Sequence, residues 1–159
     1  MIKLLRVDHR LLHGQVVFSW YSQLGPNCIL VANDAIVDDE VRKAALRLGK
    51  PSEAKLVIKN IEDSIDAINA GKTDKYDLMI VVSNVTDAVR LAKGCQQIKA
   101  INLGGMKATS QTHALSNMVN VTEDEETALK EVSRNGIEVF IQAVPSDPKK
   151  VLFAEKQGK

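Results

Sequence analysis

The sequence has few of the residues that define specialised classes of protein. It has two cysteines, Cys28 and Cys95, too far apart for metal-ligand spacing, and they read as reduced thiols rather than a disulfide framework. Aromatic residues are 4% of the chain and prolines number four, and there is no internal repeat. No apolar run approaches the roughly 18 residues of a membrane span. The start, Met1 to Val7, is too short and too charged for a signal peptide. The formal net charge is +1, which argues against an overall field for nucleic acid or a lipid surface. G-x-G-x-x-G and the Walker A pattern are both absent, so no nucleotide cofactor is indicated.

What remains is an ordinary globular balance over 159 residues, 45% hydrophobic and 26% charged, which favours one domain, 1–159. Only a short polar tail near Lys156 to Lys159 departs from it. Apolar runs alternate with amphipathic stretches. Strands are predicted over Ile2–Val7, Cys28–Asn33, Ala54–Lys59, Tyr76–Val82, Lys99–Leu103, Met118–Val121 and Ile137–Val144. Helices are predicted over His13–Gln23, Val37–Leu48 and Ile61–Ala70, then from Ser83 or Asn84 to Gly94, and from Thr122 to Asn135. Asn60 reads as an N-cap, Thr122 with Glu125 as a capping box, and a short helix is expected after Pro148. The alternation implies an α/β fold: one open, mostly parallel sheet with helices on both faces. In such sheets reactive groups gather beyond the carboxyl ends of the strands. Asp8-His9-Arg10, Asn33-Asp34, Ser83-Asn84 and Asn102 to Met106 all fall at such ends.

The chemistry concentrates in Arg6 to Gln15, R-V-D-H-R-L-L-H-G-Q, with two histidines, two arginines and one aspartate. With Lys3 its formal charge is three positive minus one negative, or +2, suited to a phosphoryl dianion or an acidic partner. His13 is the candidate nucleophile, because neutral imidazole presents a bare ring nitrogen near pH 7. Arg10 is the candidate stabiliser of the transferring group, since its planar fork pairs two phosphoryl oxygens. Asp8 would hold Arg10 or a ring N–H. Gly14 and Gln15, at a helix start, would offer backbone N–H groups to an anion. Asn33, Asp34, Ser83, Gly104 and Gly105 are candidates for the same rim; Gly104-Gly105 reads equally as a tight turn. His9 and His13 resemble half a zinc site, but Arg10 stands where H-E-x-x-H needs glutamate, and no third ligand is evident, so no metal is expected. His113 reads as a solvated loop residue, and Trp20 as either core or exposed contact.

R-V-D-H-R-L-L-H-G-Q-V with Trp20 seven residues beyond His13, V-A-N-D at 31–34, D-E-V-R-K at 39–43, N-L-G-G-M at 102–106 and P-S-D-P at 145–148 together resemble the IIB component of the mannose–fructose–sorbose family. That family belongs to the bacterial phosphoenolpyruvate-dependent sugar phosphotransferase system. The resemblance implies an open sheet of about seven strands. It implies that His13 is phosphorylated on Nδ1 and that Arg10 stabilises the transition state. The donor would be a phosphorylated IIA protein or domain, and the acceptor a sugar held by membrane IIC and IID components. It implies a cytoplasmic protein peripheral to that transporter, with no cofactor, and leaves room for a homo-oligomer. His9 departs from the pattern, since relatives often carry Asp or Glu there. The residues alone also fit a regulatory α/β module that binds a phosphorylated metabolite at this rim without turnover.

Overall fold

The computed structural model describes residues 1–154; the polar tail near Lys156 to Lys159 lies outside them. The strands are β1 (Ile2–Asp8), β2 (Cys28–Ala32), β3 (Lys55–Lys59), β4 (Leu78–Val82), β5 (Ala100–Gly105), β6 (His113–Ala114), β7 (Asn120–Val121), β8 (Glu138–Ile141) and β9 (Lys150–Leu152). The helices are α1 (Gly14–Leu24), α2 (Glu40–Gly49), α3 (Ile61–Asn69), α4 (Val85–Gly94) and α5 (Glu123–Arg134). Seven strands form one sheet in the order β3-β2-β4-β1-β5-β8-β9. All its pairings are parallel except β8 with β9.

Burial explains the strand order. Every residue of β2 and β4 is buried, as a parallel strand covered on both faces requires. One core packs α3, α4 and α5 on the sheet through Leu30, Ile80, Val82 and Leu103. The other packs α1 and α2 on the opposite face through Ile29, Val31, Met79 and Val81. Side-chain caps start four helices, with Asp39, Asn60, Asn84 and Thr122 each accepting from a backbone N–H of the first turn. Glu125 completes the capping box by accepting from Thr122 N–H at 2.9 Å.

Four expectations are corrected. The helix expected over Val37–Leu48 is split into a 3-10 turn, Ile36–Asp38, and α2, because Asp39 caps a new start at Arg42 N. The short helix expected after Pro148 is strand β9, because Lys150–Leu152 completes the sheet edge against β8. Gly104 and Gly105 form neither a turn nor a loop; they are the last residues of β5. His113 is exposed as expected but lies in strand β6 rather than a loop, and its Nε2 stands 2.9 Å from a Glu126 carboxyl oxygen. Cys28 and Cys95 are buried free thiols.

Candidate functional site

The site forms where β1 and β5 end side by side. Val7 pairs with Leu103, but Asp8 pairs with Gly105, so Gly104 is an extra residue and β5 bulges there. The Arg6 side chain occupies the space beside the bulge. A Cβ on Gly104 would collide with its guanidinium, whereas one on Gly105 would make ordinary contacts of 3.7 Å with Asp8 Oδ1 and 3.8 Å with Arg10 Nη2. Gly104→Ala is therefore expected to destabilise the fold by about 3 kcal/mol, lowering Tm by roughly 6–12 °C, with Gly105→Ala close to the parent. Thermal melts of the two variants check this contrast.

Arg6 does not contribute to an open basic rim, contrary to the charge count of its segment. It is buried. Its Nη1 donates to Asn102 Oδ1 at 2.8 Å and to the Gln142 carbonyl at 3.2 Å. Its Nη2 donates to Asp8 Oδ2 at 3.2 Å, and its guanidinium lies 5.7 Å from the Trp20 ring centroid. Trp20 is itself core, donating from Nε1 to the Ala143 carbonyl at 3.1 Å. Burial lowers the Arg6 pKa, against the raising effect of Asp8.

Asp8 is the hub of the site. Its carboxylate is 0% exposed and accepts from Arg6, from the Arg10 backbone N–H at 3.0 Å, and from Arg10 Nε and Nη2 at 3.0 Å each. Burial opposes its ionisation, but these hydrogen bonds and the two guanidinium charges outweigh burial and hold its pKa below the usual carboxylate range. The same bonds raise the pKa of Arg10. Two of the five N–H donors of the Arg10 fork point back to Asp8, while the side chain stays 28% exposed. Its charge is thus fixed in place yet open to a ligand.

The loop from Asp8 to His13 is tightly wound. His9 N–H donates to the Gly105 carbonyl at 2.9 Å and Leu11 N–H to the Asp8 carbonyl at 2.9 Å. Leu11 is buried with φ +60°, a left-handed conformation that costs a side-chain-bearing residue about 1 kcal/mol. Its packing against the α1 face anchors the loop. The loop delivers His13 to the N-cap position of α1, exposed and with no capping bond from its ring. Its carbonyl accepts from Val16 and Val17 N–H. Gly14 and Gln15, both exposed, open the first turn, where N–H groups have no intrahelical acceptor. Gly14 has φ +27°, which explains a glycine at the start of a helix.

The other rim candidates have partners of their own, although Ser83 follows Val82, which pairs with Val7 just before Asp8. Asn33 donates to Ser83 Oγ at 3.0 Å and accepts from Ala35 and Ile36 N–H. Asp34 accepts from Ile61 N–H at 2.9 Å, at the start of α3, and pairs with Arg90 at 3.3 Å. No hydrogen bond among the described residues joins this group to Asp8, Arg10 or His13. Sequence reasoning missed Gln142, whose carbonyl clamps Arg6 and Asn102, and Lys107, exposed beyond the Gly-Gly-Met segment. Burial, then the Arg10, Lys107 and His13 charges, lower the His9 pKa against the pull of Asp8.

Residues 2–156 match the family model described as the PTS system sorbose subfamily IIB component. A probable phosphotransferase enzyme IIB component of Streptococcus pyogenes serotype M6 is 33% identical over 156 residues, covering 94% of this chain and 95% of that protein. The mannose-specific EIIAB component of Escherichia coli K12 is 32% identical over 94% of this chain, which spans 46% of that longer protein. Among solved structures, the IIBSor domain of the sorbose permease from Klebsiella pneumoniae superposes with a TM-score of 0.90 at 26% identity, covering 96% of this chain and 94% of that one. The open, mostly parallel sheet is that of a phosphotransferase-system IIB domain. This chain belongs to the IIB component of the mannose, fructose and sorbose family, and its function is that of a phosphocarrier in sugar transport.

Proposed function

We propose that His13 is the residue that carries the phosphoryl group and that Arg10 stabilises it in transit. The observation that carries the reading is exposed His13 at the N-cap of α1, its side chain making no cap bond, three residues beyond an Arg10 whose fork is held by buried Asp8. A phosphoryl group passing through a loose transition state gathers negative charge on its equatorial oxygens. Fixed cationic and N–H donors then lower the barrier without reorganising. The His13 Nδ1 lone pair forms the new N–P bond as the bond to the donor's histidine nitrogen breaks, and that electron pair returns to the donor ring. In the second step a sugar hydroxyl oxygen attacks phosphorus, the His13 N–P bond breaks, and the hydroxyl proton is released. Asp8 takes no proton; it orients Arg10. The backbone N–H groups of Gly14 and Gln15 support the anion.

The donor in this reading is a phosphorylated IIA protein or domain. The name of the mannose-specific EIIAB relative, of which this chain spans less than half, supports that partner. The acceptor is a sugar delivered by membrane IIC and IID components, at the cytoplasmic face of the transporter. No helix among the described residues is long and apolar enough to cross a membrane. The test is incubation with phosphoenolpyruvate, the general phosphotransfer proteins and IIA, followed by mass measurement. An acid-labile gain of one phosphoryl group is expected; an unchanged mass contradicts the reading. Arg10→Lys is expected to slow the gain about 100-fold at unchanged half-saturation by IIA, because lysine offers a point charge without the fork. Parent-like rates in that variant would remove Arg10 from the role.

A further inference from the structure

Helix α2 turns an apolar face to solvent. Val41 is 80% exposed and Leu48 is 89% exposed, and Ala44 and Ala45 between them are exposed as well. At about 100° per residue these four fall within one arc of about 100°, while Leu46, the buried residue of the helix, lies on the opposite side. Single exposed apolar residues are common, but a continuous outward stripe on a helix marks an interaction surface.

The stripe is self-complementary. Its ends are large, Val41 and Leu48, and its middle is small, Ala44 and Ala45, so two antiparallel copies can approach closely at the centre. Val41 of each then meets Leu48 of the other. The charges fit the same symmetry. Glu40 and Arg47, seven residues apart, lie on one flank of the stripe. A twofold axis between positions 44 and 45 keeps that flank on the same side of both helices. It sets Glu40 of one copy opposite Arg47 of the other, about 3 Å apart in height at 1.5 Å per residue. Glu40 bonds Lys43 at 3.2 Å yet its side chain stays 79% exposed, and Arg47 is exposed with no ion pair among the described residues. A lipid surface fits less well, because Asp38, Asp39, Glu40 and Glu53 balance Arg42, Lys43, Arg47 and Lys50 around the helix.

We propose that α2 is the contact of a weak, twofold-symmetric homodimer, with Val41 and Leu48 as its apolar anchors and reciprocal Glu40–Arg47 pairs setting its register. A face one short helix long is small beside the roughly 800 Å² per partner of a standard interface, so the pairing appears only at high concentration.

The test is sedimentation velocity of the full chain up to about 1 mM, with thermal melts confirming that each variant folds. The parent is expected to sediment faster as concentration rises. Leu48→Glu is expected to weaken association at least about 10-fold, and Glu40→Arg to do likewise, while Glu40→Arg/Arg47→Glu regains it. Phosphoryl uptake by dilute Leu48→Glu stays at the parent rate, so loss of pairing and loss of chemistry are read separately. Concentration-independent sedimentation of the parent, parent-like association of Leu48→Glu, or a double reversal that regains nothing overturns the proposal. A parent that stays monomeric but co-sediments with phosphatidylglycerol vesicles overturns it as well, and assigns the stripe to lipid.

Discussion

His13→Ala is expected to abolish phosphoryl uptake from phosphorylated IIA, while His9→Ala retains it within a few-fold. The two rings lie four residues apart in one cationic loop, so composition treats them alike. Their settings differ. His13 is exposed at the N-cap position of α1, and its side chain makes no cap bond. The backbone of His9 is tied to Gly105, and its pKa is lowered by burial and by neighbouring cations. Removing the imidazole of His13 deletes the only nucleophile the mechanism uses, and no amount of transition-state charge stabilisation substitutes for it. Uptake that survives in His13→Ala and is lost in His9→Ala would reverse the assignment.

Asp8→Ala is expected to carry the second large effect, on stability and rate together. The side chain is the shared anion of two guanidiniums, and its removal leaves Arg6 charged and buried with no carboxylate. Breaking a buried ion pair at one partner costs about 3–5 kcal/mol. Arg10 also loses both bonds that aim its fork, so transfer is expected to slow about 100-fold in whatever fraction folds. Chemical denaturation separates the two effects from single-turnover labelling of the folded protein. The pH dependence has a definite sign. The folded pKa of Asp8 lies below its unfolded value, so its contribution is fully present above about pH 4. It is lost as pH falls from there through the folded pKa. Asp8→Asn, which cannot ionise, is expected to remove that part of the acid sensitivity. An Asn variant that loses stability in acid as steeply as the parent would show that Asp8 is not its source.

The sequence made the parallel sheet legible because its central strands are short, continuous apolar runs, Cys28–Ala32 and Leu78–Val82, that helices cover on both faces. It made Asn60 and the Thr122–Glu125 box legible because a cap is a local pattern spanning one turn. The loop from Asp8 to Gln15 was legible for the same reason. What was hidden depends on contacts between distant segments. Arg6 looked like one more rim cation, because its partners Asn102 and Gln142 come from strands far along the chain. The need for glycine at 104 follows from where the Arg6 guanidinium lies, which no local pattern encodes. Asn33, Asp34 and Ser83 sit at strand ends as the rim rule asks, yet their polar atoms hold the Ile36 turn and the start of α3. Strand β9 escaped notice because three residues at a sheet edge owe their conformation to β8 rather than to their own periodicity.

The central claim is that one ring, that of His13, bears the phosphoryl group. The direct measurement is to label the unaltered chain through phosphorylated IIA, locate the phosphoryl group by fragmentation under mildly alkaline conditions, and assign the ring nitrogen by phosphorus NMR. The account predicts a single phosphohistidine at residue 13, bonded through Nδ1. A phosphoryl group found on His9 or His113, or on no histidine at all, would contradict it.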